Sequence, residues 1–277
     1  MANELAVPIS SLLNRCFDQG KLPQDWKTAN VSCIFKKGIK TEPGNYRPVS
    51  LTCVLCKLAE SYVKQAIYTF LEERDIFTDS QHGFRKARSC VTQLIQVTEA
   101  LSNSLDNGED VDLIYLDFQK AFDKVPHLRL LNKLKGFGIS GKIHNFITDF
   151  LTDRKQRVVV NGSPSTWSSV KSGIPQGSIL GPLLFILFIN DLPDGMLNDC
   201  KMFADDTKLY GKPGVSLQDD LDKAVEWAKT WQMKFNAGKC TVLHMGKNNP
   251  KNTYFMKDGN GDKDKLVNRG SPSKPRG

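Results

Sequence analysis

Phe203-Ala204-Asp205-Asp206 sets two adjacent acids between an apolar approach, Met202 and Phe203, and a mixed exit, Thr207-Lys208-Leu209-Tyr210. Neighbouring side chains on a β-hairpin point to opposite faces, so a like-charged pair shares a working face only where a turn bends both towards it. Read alone, the pair is a solvated turn, since Asp is a common turn residue. A second site changes that reading. Asp112-Leu113-Ile114-Tyr115-Leu116-Asp117 is an apolar strand pattern that stops on a carboxylate. Acids at two strand ends, Asp117 with Asp205 and Asp206, are a donor set for a divalent metal ion.

The 277 residues carry a formal charge of +8, with 40% hydrophobic and 25% charged side chains, the profile of a globular protein large enough to bury a core. Residues 247–277 hold eight basic and three acidic side chains, which leaves the first 246 residues at only +3. Basic charge on the folded part is therefore weak evidence for nucleic acid. Seven scattered cysteines without a secretory leader fit reduced thiols in an intracellular protein. Cys53 and Cys56 are a close pair, but no second Cys/His pair completes a zinc site. Residues 172–190 lack charge, yet glycines and prolines break their first half. What remains, Leu183 to Ile189, is far short of the roughly 20 residues a bilayer needs and reads as a buried core helix.

Helical periodicity runs from Leu5 to Phe17, from about 53 to 74, from about 89 to 105, over 127–135 and 142–152, and again from Leu217 to Ala228. Strand patterns lie at 28–35, at 112–117, in a hairpin of 157–160 with 166–170 separated by Asn161-Gly162-Ser163-Pro164, about Asp205-Asp206, and at 241–245. Helices and strands thus mix, with the acids on non-consecutive strands. An antiparallel sheet backed by helices, an α+β architecture, would bring Asp117 beside the Asp205 hairpin. Asp112 reads as a surface residue. Beyond Gly246 periodicity fades into Lys, Gly, Asn, Asp and Pro, and the expectation is a largely disordered basic tail over 247–277.

Leu116-Asp117-Phe118-Gln119-Lys120-Ala121-Phe122-Asp123, Gly173-Ile174-Pro175-Gln176-Gly177-Ser178 and Phe203-Ala204-Asp205-Asp206 together resemble, in order and spacing, three core motifs of reverse transcriptases, in wording closest to those of non-LTR (LINE-like) retrotransposons. Asn45-Tyr46-Arg47-Pro48-Val49-Ser50-Leu51, His82-Gly83-Phe84-Arg85 and Leu180-Gly181-Pro182-Leu183-Leu184-Phe185 extend the match over roughly residues 3–246. The resemblance implies the fingers and palm of a right-hand polymerase in residues 1–246, with fingers over about 20–110 and palm over about 111–246. Its thumb is not recognisable in the tail, nor is a primer-grip hairpin.

The same resemblance implies an RNA-directed DNA polymerase that joins deoxynucleotides to a primer 3′-hydroxyl on an RNA template. Two Mg²⁺ ions, with Mn²⁺ as a substitute, would stabilise the attacking and leaving oxygens. Asp117, Asp205 and Asp206 match the catalytic acids and metal ligands, with the Phe118 main-chain carbonyl assisting. Phe122 matches the gate that excludes ribonucleotides, and Ala121 offers its N–H to the triphosphate. Gln176 and Gly177 match the turn that meets nucleotide and template. Arg47, with Lys36 or Lys37, matches the basic groups that clamp the triphosphate. Partners are an RNA template, a DNA primer and a dNTP, without a membrane or a small-molecule cofactor. Two other readings use the same acids: an inactive element remnant that at most binds nucleic acid, and a two-metal phosphodiesterase, which has no use for a deoxyribose gate.

Overall fold

The computed structural model describes residues 2–257 and 263–268. Its elements begin with α1 (Ala2–Gln19), β1 (Thr28–Phe35), β2 (Tyr46–Leu51), α2 (Val54–Glu72), α3 (Cys90–Asp106) and β3 (Val111–Leu116). Next come α4 (Ala121–Lys124), α5 (His127–Gly136), α6 (Gly141–Leu151), β4 (Lys155–Val160), β5 (Ser163–Pro164), β6 (Ser168–Ser169) and α7 (Gly181–Phe188). The chain ends with β7 (Asp199–Phe203), β8 (Asp206–Gly211), α8 (Val215–Thr230), β9 (Thr241–Met245), β10 (Phe255–Lys257), β11 (Lys263–Lys265) and β12 (Val267–Asn268). This is the expected α+β class. Among the described residues no helix is long and apolar enough to cross a membrane. The uncharged segment forms α7, whose Leu183 to Phe188 are buried core.

The chain divides into two compact units, residues 1–76 with 122–188, and residues 77–121 with 189–277. The expected break near residue 110 does not coincide with this division. The reason is strand pairing: β3 finds its partners beyond residue 200, so in chain order the segment from α4 to α7 falls between strands of one sheet.

In the first unit β1 pairs antiparallel with β2 and parallel with β4, which continues into β5 and β6. Val160 pairs with Ser163, so the loop shortens to Asn161-Gly162, both at positive φ, as a tight hairpin turn requires. Glu60 on α2 is fully buried and accepts the main-chain N–H of Ile179 (2.7 Å) and Leu180 (3.0 Å) just ahead of α7. Burial pushes its carboxyl up, and those two N–H groups pull it back towards ionisation.

The second unit is built on the sheet β12-β9-β3-β8-β7. Val111 and Leu113 of β3 and Tyr210 of β8 pack against Val97 of α3 to form its core. Ser89 caps α3 by accepting the Thr92 N–H while the Thr92 hydroxyl accepts the Ser89 N–H, satisfying two otherwise orphaned donors. Asp220 on α8 is completely buried and accepts N–H groups of Leu197 and Asn198, with Lys223 Nζ at 2.9 Å. Burial raises its carboxyl, but those donors together outweigh the desolvation and hold it below the ordinary aspartate value.

Two expectations are corrected here. Asp112 is not on the surface: it is fully buried, its Oδ1 2.7 Å from His244 Nδ1 and 2.8 Å from Asn249 Nδ2, its Oδ2 accepting the Tyr254 hydroxyl at 2.7 Å. Nor is the segment past Gly246 structureless, since Tyr254, Met256 and Leu266 are buried and β10 pairs antiparallel with β11. An antiparallel strand pair therefore follows β9. Three anchors spaced this widely leave no periodic trace, yet each removes a large apolar surface from water. Residues 258–262 and 269–277 of the expected tail lie outside the described residues.

Burial and the Asp112 carboxylate hold the Tyr254 phenol above its ordinary value, keeping it a donor. Tyr254→Phe leaves Asp112 short of one hydrogen bond and should cost about 1–3 kcal/mol in denaturant unfolding; a loss under about 0.5 kcal/mol would refute the anchor. Asp220, with its lowered folded value, contributes stability that is present above the unfolded aspartate value of about 3.9 and is lost as pH falls through the folded one. Asp220→Asn should therefore unfold more easily at neutral pH and show a shallower decline of stability in acid, measured by unfolding from pH 7 to about pH 2.

Candidate active site

The antiparallel register of β3 and β8 sets Leu116 opposite Thr207, so the chain positions that follow and precede them, Asp117 and Asp206, meet at the same sheet end. Asp205 lies one residue before Asp206, in the loop Ala204-Asp205 that joins β7 to β8, where Phe203 pairs with Asp206. Sequence thus brings these three acids to one edge of one unit. Asp117 and Asp205 are half-buried and Asp206 is exposed.

The backbone around Asp117 is held on the far side by the segment after α8. Asn236 N–H donates to the Asp117 carbonyl (2.7 Å), Gln119 N–H donates to the Lys234 carbonyl (2.8 Å), and the Phe118 ring stacks on Phe235 with centroids 4.2 Å apart. Phe118 is buried, so its ring acts as an anchor for the carbonyl that precedes Gln119. Ala121 is buried at the start of α4.

Two neighbours of Asp117 escaped sequence reasoning. Lys239 Nζ stands 3.1 Å from Asp117 Oδ2, close enough to pair charges. Its approach lies outside hydrogen-bond geometry, and Oδ2, though buried, accepts no hydrogen bond. Cys240 Sγ receives the Asp117 N–H at 3.4 Å, and burial pushes its thiol up to about 11, so it adds no negative charge beside the acid at neutral pH. Their signal was present only as sequence proximity to β9, which names no partner. Lys208 is buried with its Nζ 2.7 Å from Gln93 Oε1, and desolvation lowers it against the pull of Asp206.

Among the described residues no group of three or more His, Cys, Asp or Glu side chains forms a ready-made metal cage. The donor types still suit a hard cation: carboxylates lie at one end of the sheet, and one of their oxygens is buried without a hydrogen bond.

The other predicted residues lie in the first unit. Phe122 is half-buried with its ring stacked on Phe185, centroids 4.5 Å apart and planes at 17°. Gln176 Nε2 donates to Asp123 Oδ1 at 2.9 Å, and the Gln176 carbonyl accepts the Ser50 N–H of β2 at 2.7 Å. Gly177 has φ +105°, and a Cβ there would stand 2.7 Å from the Ser50 carbonyl, so glycine is required. Arg47 is an exposed residue of β2 paired with Ile34, and Lys36 and Lys37 are exposed at the β1–β2 loop. The structure therefore joins Gln176 and Gly177 to the strand that carries Arg47.

Comparison with known proteins agrees with these motifs. The pattern of the family described as reverse transcriptase (RNA-dependent DNA polymerase) matches residues 34–266. A probable RNA-directed DNA polymerase from transposon BS of Drosophila melanogaster is 33% identical over 232 residues, 78% of this chain and 26% of that protein. The RNA-directed DNA polymerase from mobile element jockey of the same fly is 31% identical over 250 residues, 84% of this chain and 27% of that protein. This chain thus spans about a quarter of the length of these relatives. In structure, an apo telomerase from Candida tropicalis truncated from the C-terminal domain aligns with a TM-score of 0.62 at 12% identity, over 90% of this chain and 57% of that one, a likeness of fold. With three acids at one strand edge, the ordered motifs and a family match that runs from β1 through β11, the chain belongs to the reverse transcriptase family.

Proposed function

We propose that this chain carries the nucleotidyl-transfer site of an RNA-directed DNA polymerase, extending a DNA primer with deoxynucleoside triphosphates on an RNA template. The observation that carries the reading is the β3–β8 register, which puts Asp117 at the same sheet end as Asp205 and Asp206. The palm role goes to the sheet β12-β9-β3-β8-β7 and the fingers role to the sheet of β1, β2 and β4. Asp117, Asp205, Asp206 and the Phe118 carbonyl would hold divalent ions. When bound, Mg²⁺ or Mn²⁺ neutralises charge that develops on the reacting phosphate and activates the primer hydroxyl.

The chain's own residues do the positioning. The Asn236 and Lys234 backbone contacts fix the direction in which Asp117 leaves β3. Lys239 offsets the Asp117 charge, which lessens repulsion among the acids. Phe122, backed by Phe185, presents a rigid ring under the sugar, where a 2′-hydroxyl would collide. The Ala121 N–H, Arg47 and Lys37 supply donors to the triphosphate. Gln176, with its amide held by Asp123, and Gly177 form a firm floor for the base pair. The hairpin of β10 and β11 takes the place in the chain where a primer-gripping hairpin is expected, and residues to 266 fall within the family match.

Primer extension on an RNA template with an annealed DNA primer and Mg²⁺ tests the reading. Asp205→Asn should lower the extension rate at least ~100-fold, the scale for losing one preorganised charge-stabilising group; equal rates, or a folded wild-type chain that does not extend, would sink it. Phe122→Val should raise the use of ribonucleotides relative to deoxynucleotides by about tenfold or more. An unchanged ratio would remove Phe122 from the gate.

A further inference from the structure

The turn that carries Asp205 is gripped by a side chain to which none of the roles above extends. Ala204 occupies the first loop position between β7 and β8 with φ +51°, a conformation that residues with a Cβ rarely adopt. Hairpins that need this geometry ordinarily place glycine there. Around the turn runs the segment Ser80-Gln81-His82-Gly83. Met202 N–H donates to the Ser80 carbonyl (2.7 Å) and His82 N–H to the Met202 carbonyl (2.8 Å), so the segment lies along β7 like an extra parallel strand.

From this segment the Gln81 side chain, fully buried, turns back on the loop. Its Oε1 accepts the Ala204 N–H at 2.9 Å and the Gly83 N–H at 2.7 Å, while Nε2 lies 3.5 Å from the Ala204 carbonyl. One amide thus engages both polar groups of the strained residue. Gly83 makes the approach feasible, because a Cβ there would sit 2.3 Å from the Ala204 nitrogen. A glutamine that merely filled core space would not need both ends of its amide on the same backbone unit.

We infer that Gln81 is a positioning residue of the polymerase site: it fixes the Ala204 backbone and thereby the direction in which Asp205 leaves the turn. The inference rests on the proposed role of Asp205, and its consequence is geometric. Without the amide, the Ala204 backbone is free to relax out of positive φ, and the carboxylate that follows loses its place. Displacements of about 1 Å at a reacting centre cost on the order of 100-fold in rate.

The test uses the full chain and two readouts that need no turnover, hydrogen exchange over residues 202–206 and Mn²⁺ binding followed by electron paramagnetic resonance, with primer extension on the same preparations. Gln81→Leu should fold, exchange at Ala204 about tenfold faster, bind Mn²⁺ at least about fivefold more weakly and lose about tenfold or more in kcat, with the KM for dNTP within about threefold of wild type. Gln81→Glu, which keeps the acceptor oxygen, should restore Mn²⁺ affinity to within about threefold. If Gln81→Leu does not fold, Gln81→Asn, whose shorter side chain withdraws the oxygen from Ala204, is read in its place with the same expectations. Unchanged exchange and unchanged Mn²⁺ affinity overturn the inference, as does failure of both variants to fold, which would make Gln81 a folding residue. A wild-type chain that neither binds Mn²⁺ nor extends a primer would instead overturn the polymerase reading, and the exchange arm alone would then decide the clamp.

Discussion

Strand β3 is paired on both sides, with β8 along one edge and β9 along the other, and the second unit is organised by that double ladder. A central strand has no free N–H or C=O row, so its register cannot slip without breaking two ladders at once. Slipping by one residue would also turn Leu113 out of the core formed with Val97 and Tyr210. The hydrophobic pattern of β3 therefore fixes the place of Asp117 relative to Asp206 as firmly as it fixes the core. Position at the edge of the sheet comes from packing within it.

The buried acids of this protein fall into two kinds. Glu60, Asp112 and Asp220 are each fully buried, and each accepts several donors from main chain or side chain. Burying a carboxylate is tolerable on those terms because the hydrogen bonds replace the water it has lost. Asp117 differs. It keeps partial exposure, one buried oxygen without a hydrogen bond, and a lysine at charge-pairing distance. Where the first kind ties elements together, the second leaves an oxygen without a hydrogen bond.

This distinction explains what the sequence could and could not reveal. Asp117 and Asp205 stand out in the sequence because each interrupts a strand pattern with a charge at its end, and the mixing of helices with strands pointed to the α+β class. Asp112 was misread because a charged residue opening a strand ordinarily faces water, and its partners His244, Asn249 and Tyr254 lie more than 130 positions away. The segment after Gly246 was misread for a related reason: three isolated anchors order it, and sparse anchors have no period. Lys239 and Gln81 were visible as residues but not as partners, since pairing across the chain is a property of topology. The interleaving of the two units likewise follows from which strands pair, which a linear pass along the chain does not reveal.

Cys240 is a quiet neighbour at this edge of the sheet. A thiolate beside Asp117 would set a second negative charge and a strong nucleophile next to the carboxylate. Burial holds the proton on Sγ up to about pH 11, and the sulfur is already occupied by the Asp117 N–H. The same neutral thiol is a poor nucleophile, so oxidants and alkylating agents meet little reactivity within contact distance of the acid. A single protonated sulfur thus keeps the neighbourhood of Asp117 chemically quiet.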